Sequence, residues 1–339
     1  MAKNIELLRA VNIRYSIKGK SEKILKIDRL RIKKGECIFV LGKNGAGKSS
    51  LLGFLGGYLN IPDAAIFWKG RKIIPLADRL VPGFEHIILV KQDPEFNPFL
   101  RVEEEMERSF RSISDTDKKK KLSQIIRSCH LKSILKQKTG DLSGGEKRRL
   151  ALALALILEP ELILLDEPFS DLDAENKQYF YVSILEAIKE RSTSFIIVSH
   201  NGEDARWLAD EIWILEKGKV LENILRLNSG FMPNKAISAR LLGWQNIISI
   251  SYLSNSYITE NPFKKWIFCP PHLIKVNNHS SLSLGLFRCL KSVKEGNDQT
   301  CFWQNDKGEI LISSSGEYII EPDFLTELSI DLNDLILLN

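Results

Sequence analysis

The chain has 339 residues, room for two or more domains with ample core. Its composition is that of an ordinary soluble protein, 44% apolar and 27% charged. The net charge of +5 is uneven: residues 1–227 hold 39 Lys and Arg against 32 Asp and Glu, residues 228–339 hold 9 against 11, and so mild an excess does not argue for nucleic acid.

Five cysteines, Cys37, Cys129, Cys269, Cys289 and Cys301, form no C-x-x-C pair and are odd in number. They read as reduced, intracellular thiols, which sets aside a disulfide frame or a zinc site. The opening Met1-Ala2-Lys3-Asn4-Ile5-Glu6 lacks the apolar core of a signal peptide. The longest apolar run, Leu150 to Leu158, is nine residues, too short to span a bilayer. Work at a membrane would therefore need another chain to do the spanning.

Residues 5–34 alternate apolar and polar positions, as in Ile5 to Ile13 and Ile27 to Ile32, which predicts strands of an antiparallel sheet with one wet face. Lys18-Gly19-Lys20 separates two of them as a turn. Tyr15 ends the first run, and two readings of it are open: a ring stacked on an adenine base, or a plain strand aromatic. Glu36 to Leu41 then reads as a buried strand and Ser49 to Leu59 as a helix. Between them Gly42-Lys43-Asn44-Gly45-Ala46-Gly47-Lys48-Ser49 fits the phosphate-loop pattern G-x-x-x-x-G-K-[ST]. Gly42, Gly45 and Gly47 let the backbone turn so that N–H groups point at a phosphate, and the following helix adds its positive end. Lys48 can reach the β- and γ-phosphates of a nucleotide, and the Ser49 hydroxyl can ligate Mg²⁺.

Ile87 to Val90 reads as a strand ending near Gln92, which can ligate a metal ion and orient water at such a position. From Val102 to Lys138 the sequence turns charged and helix-forming, an inserted helical subdomain placed at about residues 93–141. Ser143-Gly144-Gly145 opens the apolar helix Leu150 to Leu158 and offers a second anion site at a helix N-terminus. Leu162 to Leu165 reads as a buried parallel strand delivering Asp166 and Glu167 at its C-terminal end, where open α/β sheets bind ligands. Asp166 suits Mg²⁺ and Glu167 suits polarisation of an attacking water. A helix follows from Ala174 to about Glu190, then the strand Phe195 to Ser199 ending at His200, a hydrogen-bond partner for a γ-phosphate or a loop histidine without a role.

Taken together, GKNGAGKSS at 42–50, Gln92, LSGGE at 142–146, LILLDEP at 162–168, SDLD at 170–173 and SH at 199–200 resemble the ATP-binding subunit of ATP-binding-cassette transporters over residues 3–227. The resemblance implies an α/β fold: a P-loop (RecA-like) ATPase core with antiparallel β and helical subdomains. By it Tyr15 stacks on adenine, and Gly42, Asn44, Gly45, Gly47, Lys48, Ser49 and Ser50 hold the phosphates of ATP. Ser49, Gln92 and Asp166 serve Mg²⁺, Glu167 acts on the lytic water and His200 is the switch. Two subunits, here a homodimer, sandwich two ATPs so that Ser143-Gly144-Gly145 caps the nucleotide of the other copy. The implied partners are an integral membrane permease and, indirectly, an extracytoplasmic substrate-binding protein, with the chain on the cytoplasmic face of the membrane and no nucleic acid. Ser50 stands where Thr is commoner, Asn201 where Asp is usual and Phe169 where Thr is frequent; none removes a catalytic group.

After Gly218 the character changes, and residues 228–339 read as a separate β-rich domain with candidate strands at Trp266 to Cys269 and Ile310 to Ile312. Turn signals stand at Asn277-Asn278 and Glu295 to Asp298. Ala239 to Ile247, Pro270 to Ile274 and the ending Ile310 to Leu338 resemble the oligomer-binding-like domain of importer ATPases, with Leu242-Gly243-Trp244-Gln245-Asn246 most similar to molybdate or tungstate importers. Regulation by a bound oxyanion and a dimer-stabilising appendage are both open. Importers of other substrates (a metal, vitamin or polyamine) are alternatives for the whole chain. A DNA-maintenance ATPase is another, but no sustained heptads separate Lys48 from Ser143.

Overall fold

The alternating stretches at the start fold as β1 (Glu6–Ser16) and β2 (Lys23–Lys33), antiparallel with Leu8 opposite Ile32 and Tyr15 opposite Leu25. The computed structural model describes residues 5–16, 23–74, 83–110, 118–227, 230–249, 266–270, 274–276, 282–295, 298–304, 310–315, 325–330 and 336–338. The expected turns at 18–20 and 277–278 lie outside them, as do residues 296–297 of the third. The chain divides into two compact units, Met1–Phe231 and Met232–Asn339.

In the first unit the apolar run after β2 is β3 (Cys37–Leu41), all five residues buried, and a glycine-rich loop joins it to α1 (Lys48–Leu55). That helix stops short of Leu59 because the chain leaves it at Gly56 and Gly57, the latter at φ +78°, and the amides of Tyr58 and Leu59 turn back to the Gly53 carbonyl. β4 (Ala65–Trp68) and β5 (Arg71–Ile73) complete a four-stranded antiparallel sheet in the order β2-β1-β4-β5. β6 (Ile87–Val90) follows, then three helices, α2 (Val102–Phe110), α3 (Lys118–Ser128) and α4 (Gly144–Ile157).

The remaining elements are β7 (Leu162–Asp166), α5 (Ala174–Arg191), β8 (Ser194–Ser199), α6 (Ala205–Leu208), β9 (Glu211–Glu216), β10 (Lys219–Leu227) and β11 (Gly230–Phe231). The main sheet runs β11-β10-β9-β3-β8-β7-β6. Its five strands from β9 to β6 are parallel and read as near-continuous apolar runs because both faces are covered. Each fully buried Leu, Ile, Val or Phe there contributes about 1.5–3 kcal/mol relative to exposure. The register sets Leu41 beside Ser199 and Asp166 beside Val198, so the segments that leave β3, β7 and β8 emerge at one edge of the sheet.

The second unit holds α7 (Ala236–Leu241), β12 (Ile247–Ser249), β13 (Trp266–Phe268), β14 (Lys275–Val276), β15 (Leu282–Glu295), β16 (Asp298–Gln304), β17 (Ile310–Ser315), β18 (Leu325–Ile330) and β19 (Ile336–Leu338). They form a three-stranded sheet, β12-β13-β19, and a five-stranded sheet, β14-β18-β15-β16-β17. Ile267, Phe287, Trp303, Leu311, Leu328 and Ile330 pack into its core. Asn246, 1% exposed, pins the two sheets: its amide donates to the Cys269 and Ile312 carbonyls at 2.8 and 2.6 Å and its Oδ1 accepts from the Ile312 amide at 2.7 Å. All five cysteines are buried thiols outside any disulfide.

Candidate functional site

A cavity of about 740 Å³ opens where β3, β6 and β7 end. It is walled by Asn44, Gly45, Gly47, Lys48, Ser49, Ser50, Gln92, Asp166 and Glu167, together with Ile24 and Lys217. The loop that forms its floor depends on glycine at two points. Gly47 has φ +102°, and a Cβ there would stand 2.7 Å from the Ile24 carbonyl oxygen. A Cβ on Gly42 would stand 2.4 Å from the Leu215 carbonyl oxygen. Neither backbone neighbour can give way, so both positions exclude a side chain.

Lys48 is 7% exposed, a costly burial for a cation. Its Nζ donates to the Gly42 and Lys43 carbonyls at 2.8 and 3.3 Å and lies 3.7 Å from Glu167 Oε1. The Ser49 hydroxyl reaches Asp166 Oδ1 at 3.5 Å. Burial pushes the Asp166 carboxyl above its ordinary range; the Ser49 hydrogen bond and the Lys48 charge oppose that, and the neighbouring Glu167 charge adds to it. Glu167 sits at φ +47°, a strained conformation for a residue with a Cβ. Ser170 holds it there, donating from its amide and hydroxyl to the Glu167 carbonyl at 3.3 and 3.0 Å. Nδ1 of His200 lies 2.9 Å from Glu167 Oε2, and the His200 amide donates to the same oxygen at 3.3 Å. Gln92 is tied to the loop after Glu167 by Nε2 to the Ser170 hydroxyl at 3.4 Å.

Arg148 of α4, 9% exposed, also ties these segments together: its Nε donates to the Gln92 carbonyl at 3.4 Å and its Nη1 to the Ser170 carbonyl. Sequence reasoning passed over it, because its burial and its loop partners exist only in the fold. Ile24 and Lys217 were passed over too. The Lys217-Gly218 turn packs on β2, where a Cβ on Gly218 would lie 2.1 Å from the Ile24 carbonyl oxygen, and this brings Lys217 to the cavity. Tyr15 is not among the residues that wall it; it is half-buried and packs against the core beneath the antiparallel sheet. Strand pairing explains the difference: Tyr15 faces Leu25 across β1 and β2, and it is Ile24, the next residue, that reaches the cavity.

Ser143 stands apart from this group. It N-caps α4 in a capping box, accepting from the Glu146 amide at 3.3 Å while its own amide donates to Glu146 Oε2 at 2.8 Å. It walls a second cavity of about 720 Å³ with His130, Lys132, Arg149 and Tyr179, and the two cavities share no residue. A Cβ on Gly145 would meet the Asn176 side chain at 2.9 Å, whereas Gly144 faces open space.

Residues 25–170 match the family described as ABC transporter. Over 232 residues the chain is 31% identical to the lipoprotein-releasing system ATP-binding protein LolD of Buchnera aphidicola, a match covering 64% of this chain and 97% of that protein. The chain belongs to the ABC transporter family. To the molybdate/tungstate import ATP-binding protein WtpC of Pyrococcus abyssi this ABC protein is 31% identical over 221 residues, covering 64% of its own length and 62% of the relative's. It spans 62 to 65% of the length of the iron and molybdate/tungstate import ATP-binding proteins it matches. Among solved structures, CbiO1 of Clostridium perfringens, part of the ABC transporter complex CbiONQ, aligns with TM-score 0.57 at 24% identity, over 65% of this chain and 88% of that one, which shows the shared fold.

Proposed function

We propose that this chain is the ATP-hydrolysing subunit of an ABC importer. The observation that carries the reading is the convergence of buried Lys48 with Ser49, Asp166 and Glu167 on one cavity at the C-terminal ends of parallel strands. Lys48 and the amides of the loop around Gly42, Asn44, Gly45 and Gly47, with Ser50, would hold the phosphates of ATP. The donor set also suits Mg²⁺. Asp166 and Glu167 are two acids beside a single buried ammonium that is already engaged by two carbonyls, and the burial-raised Asp166 carboxyl is short of positive charge. Ser49, Gln92 and Asp166 would hold the ion, which when bound supplies neutralisation of phosphate charge.

Hydrolysis replaces the terminal P–O bond of ATP with a bond to water oxygen, giving ADP and phosphate. Glu167 would polarise the attacking water, its backbone held at positive φ by Ser170. His200, on Glu167 Oε2 in the free chain, would exchange that partner for the γ-phosphate. Ser143, Gly144 and Gly145 lie away from this cavity, which supports a role on the nucleotide of a second copy, a homodimer that closes on ATP and opens after hydrolysis.

Among the described residues no helix is long and apolar enough to cross a membrane. We therefore assign the motion to a separate integral membrane permease, with this chain on its cytoplasmic face and an extracytoplasmic binding protein delivering the cargo. Molybdate, tungstate or another small anion is the favoured cargo, on the Leu242 to Asn246 resemblance and the similarity to the molybdate/tungstate import ATP-binding protein WtpC of Pyrococcus abyssi. Purification from gently solubilised native membranes tests the assembly: a polytopic permease should accompany the chain, and its binding protein should take molybdate, tungstate or sulfate. Recovery with DNA, ribosomes or soluble chains alone contradicts it.

A further inference from the structure

The site as described leaves Phe169, Tyr181 and Asp204 unused, yet these three form one continuous line of contacts. Phe169, two residues after Glu167, is 3% exposed. Its ring stacks on Phe39 of β3 at 6.2 Å and lies 5.6 Å from Phe180 and 5.3 Å from Tyr181 of α5. The Tyr181 hydroxyl donates to Asp204 Oδ1, which also accepts from Lys177 Nζ at 3.1 Å. Asp204 is itself 3% exposed and stands four residues after His200. Burial and the Asp204 charge hold the Tyr181 phenol above its ordinary range, so Tyr181 is the donor at any neutral pH.

One side chain of α5 therefore grips two loops: the one after Glu167 with its ring, and the one after His200 with its hydroxyl. Those loops meet at the 2.9 Å contact between Glu167 and His200. Between Asn201 and Glu203 the bonds are short-range, Asn201 to Ser199 at 3.1 Å and Glu203 to Asn201 at 3.0 Å, while at the far end Arg226 Nη2 donates to the Ala205 and Arg206 carbonyls at 3.3 and 2.7 Å. Nearer His200, the Asp204 carboxylate ties the loop to α5. A buried carboxylate that loses a donor keeps the cost of its desolvation, so this anchor resists slippage.

We propose that Tyr181 is a positioning residue: through Phe169 and Asp204 it sets the separation of Glu167 and His200. The inference rests on the roles given above to those two residues. A tyrosine that merely filled the core would also touch Phe169, but its hydroxyl would be indifferent to turnover.

Tyr181→Phe keeps the ring and removes the donor, and Asp204→Asn keeps an acceptor of the same size. In the nucleotide-free chain, amide hydrogen exchange across residues 199–205 should quicken by about tenfold or more in Tyr181→Phe while core strands keep their protection. The kcat for ATP should fall by up to roughly 10²-fold at an unchanged KM, because the groups are misplaced and binding is untouched. In a His200→Ala background the same substitution should add nothing further. Unchanged exchange at 199–205, wild-type kcat in Tyr181→Phe, or a loss that multiplies fully with that of His200→Ala would each overturn the proposal. Quickened exchange combined with full turnover in Glu167→Gln would instead overturn the catalytic reading and leave the brace standing.

Discussion

The two units bury polar groups to opposite ends. In the second unit two of them are answered within the protein: Asn246 meets three backbone groups, and the Trp303 indole donates to the buried Ser313 hydroxyl at 2.8 Å. In the first unit Lys48, Asp166 and Glu167 are brought together with their needs only partly met, and they face a cavity. Buried polarity that closes on itself specifies a fold, while buried polarity left open toward a cavity marks a site.

The sharpest way to break this contrast is Lys48→Ala. It removes the one ammonium that faces both carbonyls and Glu167, and should cost ATP binding and turnover at least roughly 10²-fold. The second unit should melt unchanged, as followed by calorimetry and nucleotide titration; retained turnover would mean that the open group is structural after all. Asn246→Ala is the mirror experiment. It strands the Cys269 and Ile312 groups and should destabilise the second unit by about 2–4 kcal/mol, with ATP turnover of the first unit within twofold. Gly47→Ala should cost the first unit about 1–3 kcal/mol through its positive φ and the close Ile24 carbonyl, whereas Gly45→Ala, at φ +79° with nothing within 4 Å, should cost about 1 kcal/mol. Chemical denaturation of the two variants gives the comparison.

The smallest effect concerns thiols. Burial pushes Cys129 of the first unit and Cys269 of the second up to about 12. With folded values above the ordinary 9.0, each thiol adds stability that is fully present below pH 9 and is lost as pH rises from there toward 12. At pH 8 both should resist alkylation in the native chain. Asn246→Ala should open Cys269 to reagent and leave Cys129 protected, as read by mass spectrometry of the labelled peptides.

Much of the site was legible because its chemistry is local. Gly42 to Ser49, Asp166-Glu167 and His200 each sit at the end of an apolar strand, and apolar runs announce buried parallel strands whose ends converge. What sequence could not show is what depends on pairing across long separations. Ile24 rather than Tyr15 walls the cavity because of the β1–β2 register, and Lys217 arrives because Gly218 packs on the Ile24 carbonyl. Arg148 and Tyr181 read as ordinary helix residues until the loops they grip are folded against them. In the second unit the alternation gave strands at Trp266 and Ile310, but not that β18 inserts between β14 and β15, a pairing between distant segments.

The most direct measurement is ATP turnover by the purified chain with Mg²⁺, wild type against Glu167→Gln, with ATP binding measured alongside. The substitution should preserve binding and lower turnover by roughly 10²–10⁴-fold. Turnover at the wild-type rate in Glu167→Gln would contradict the role given to Glu167.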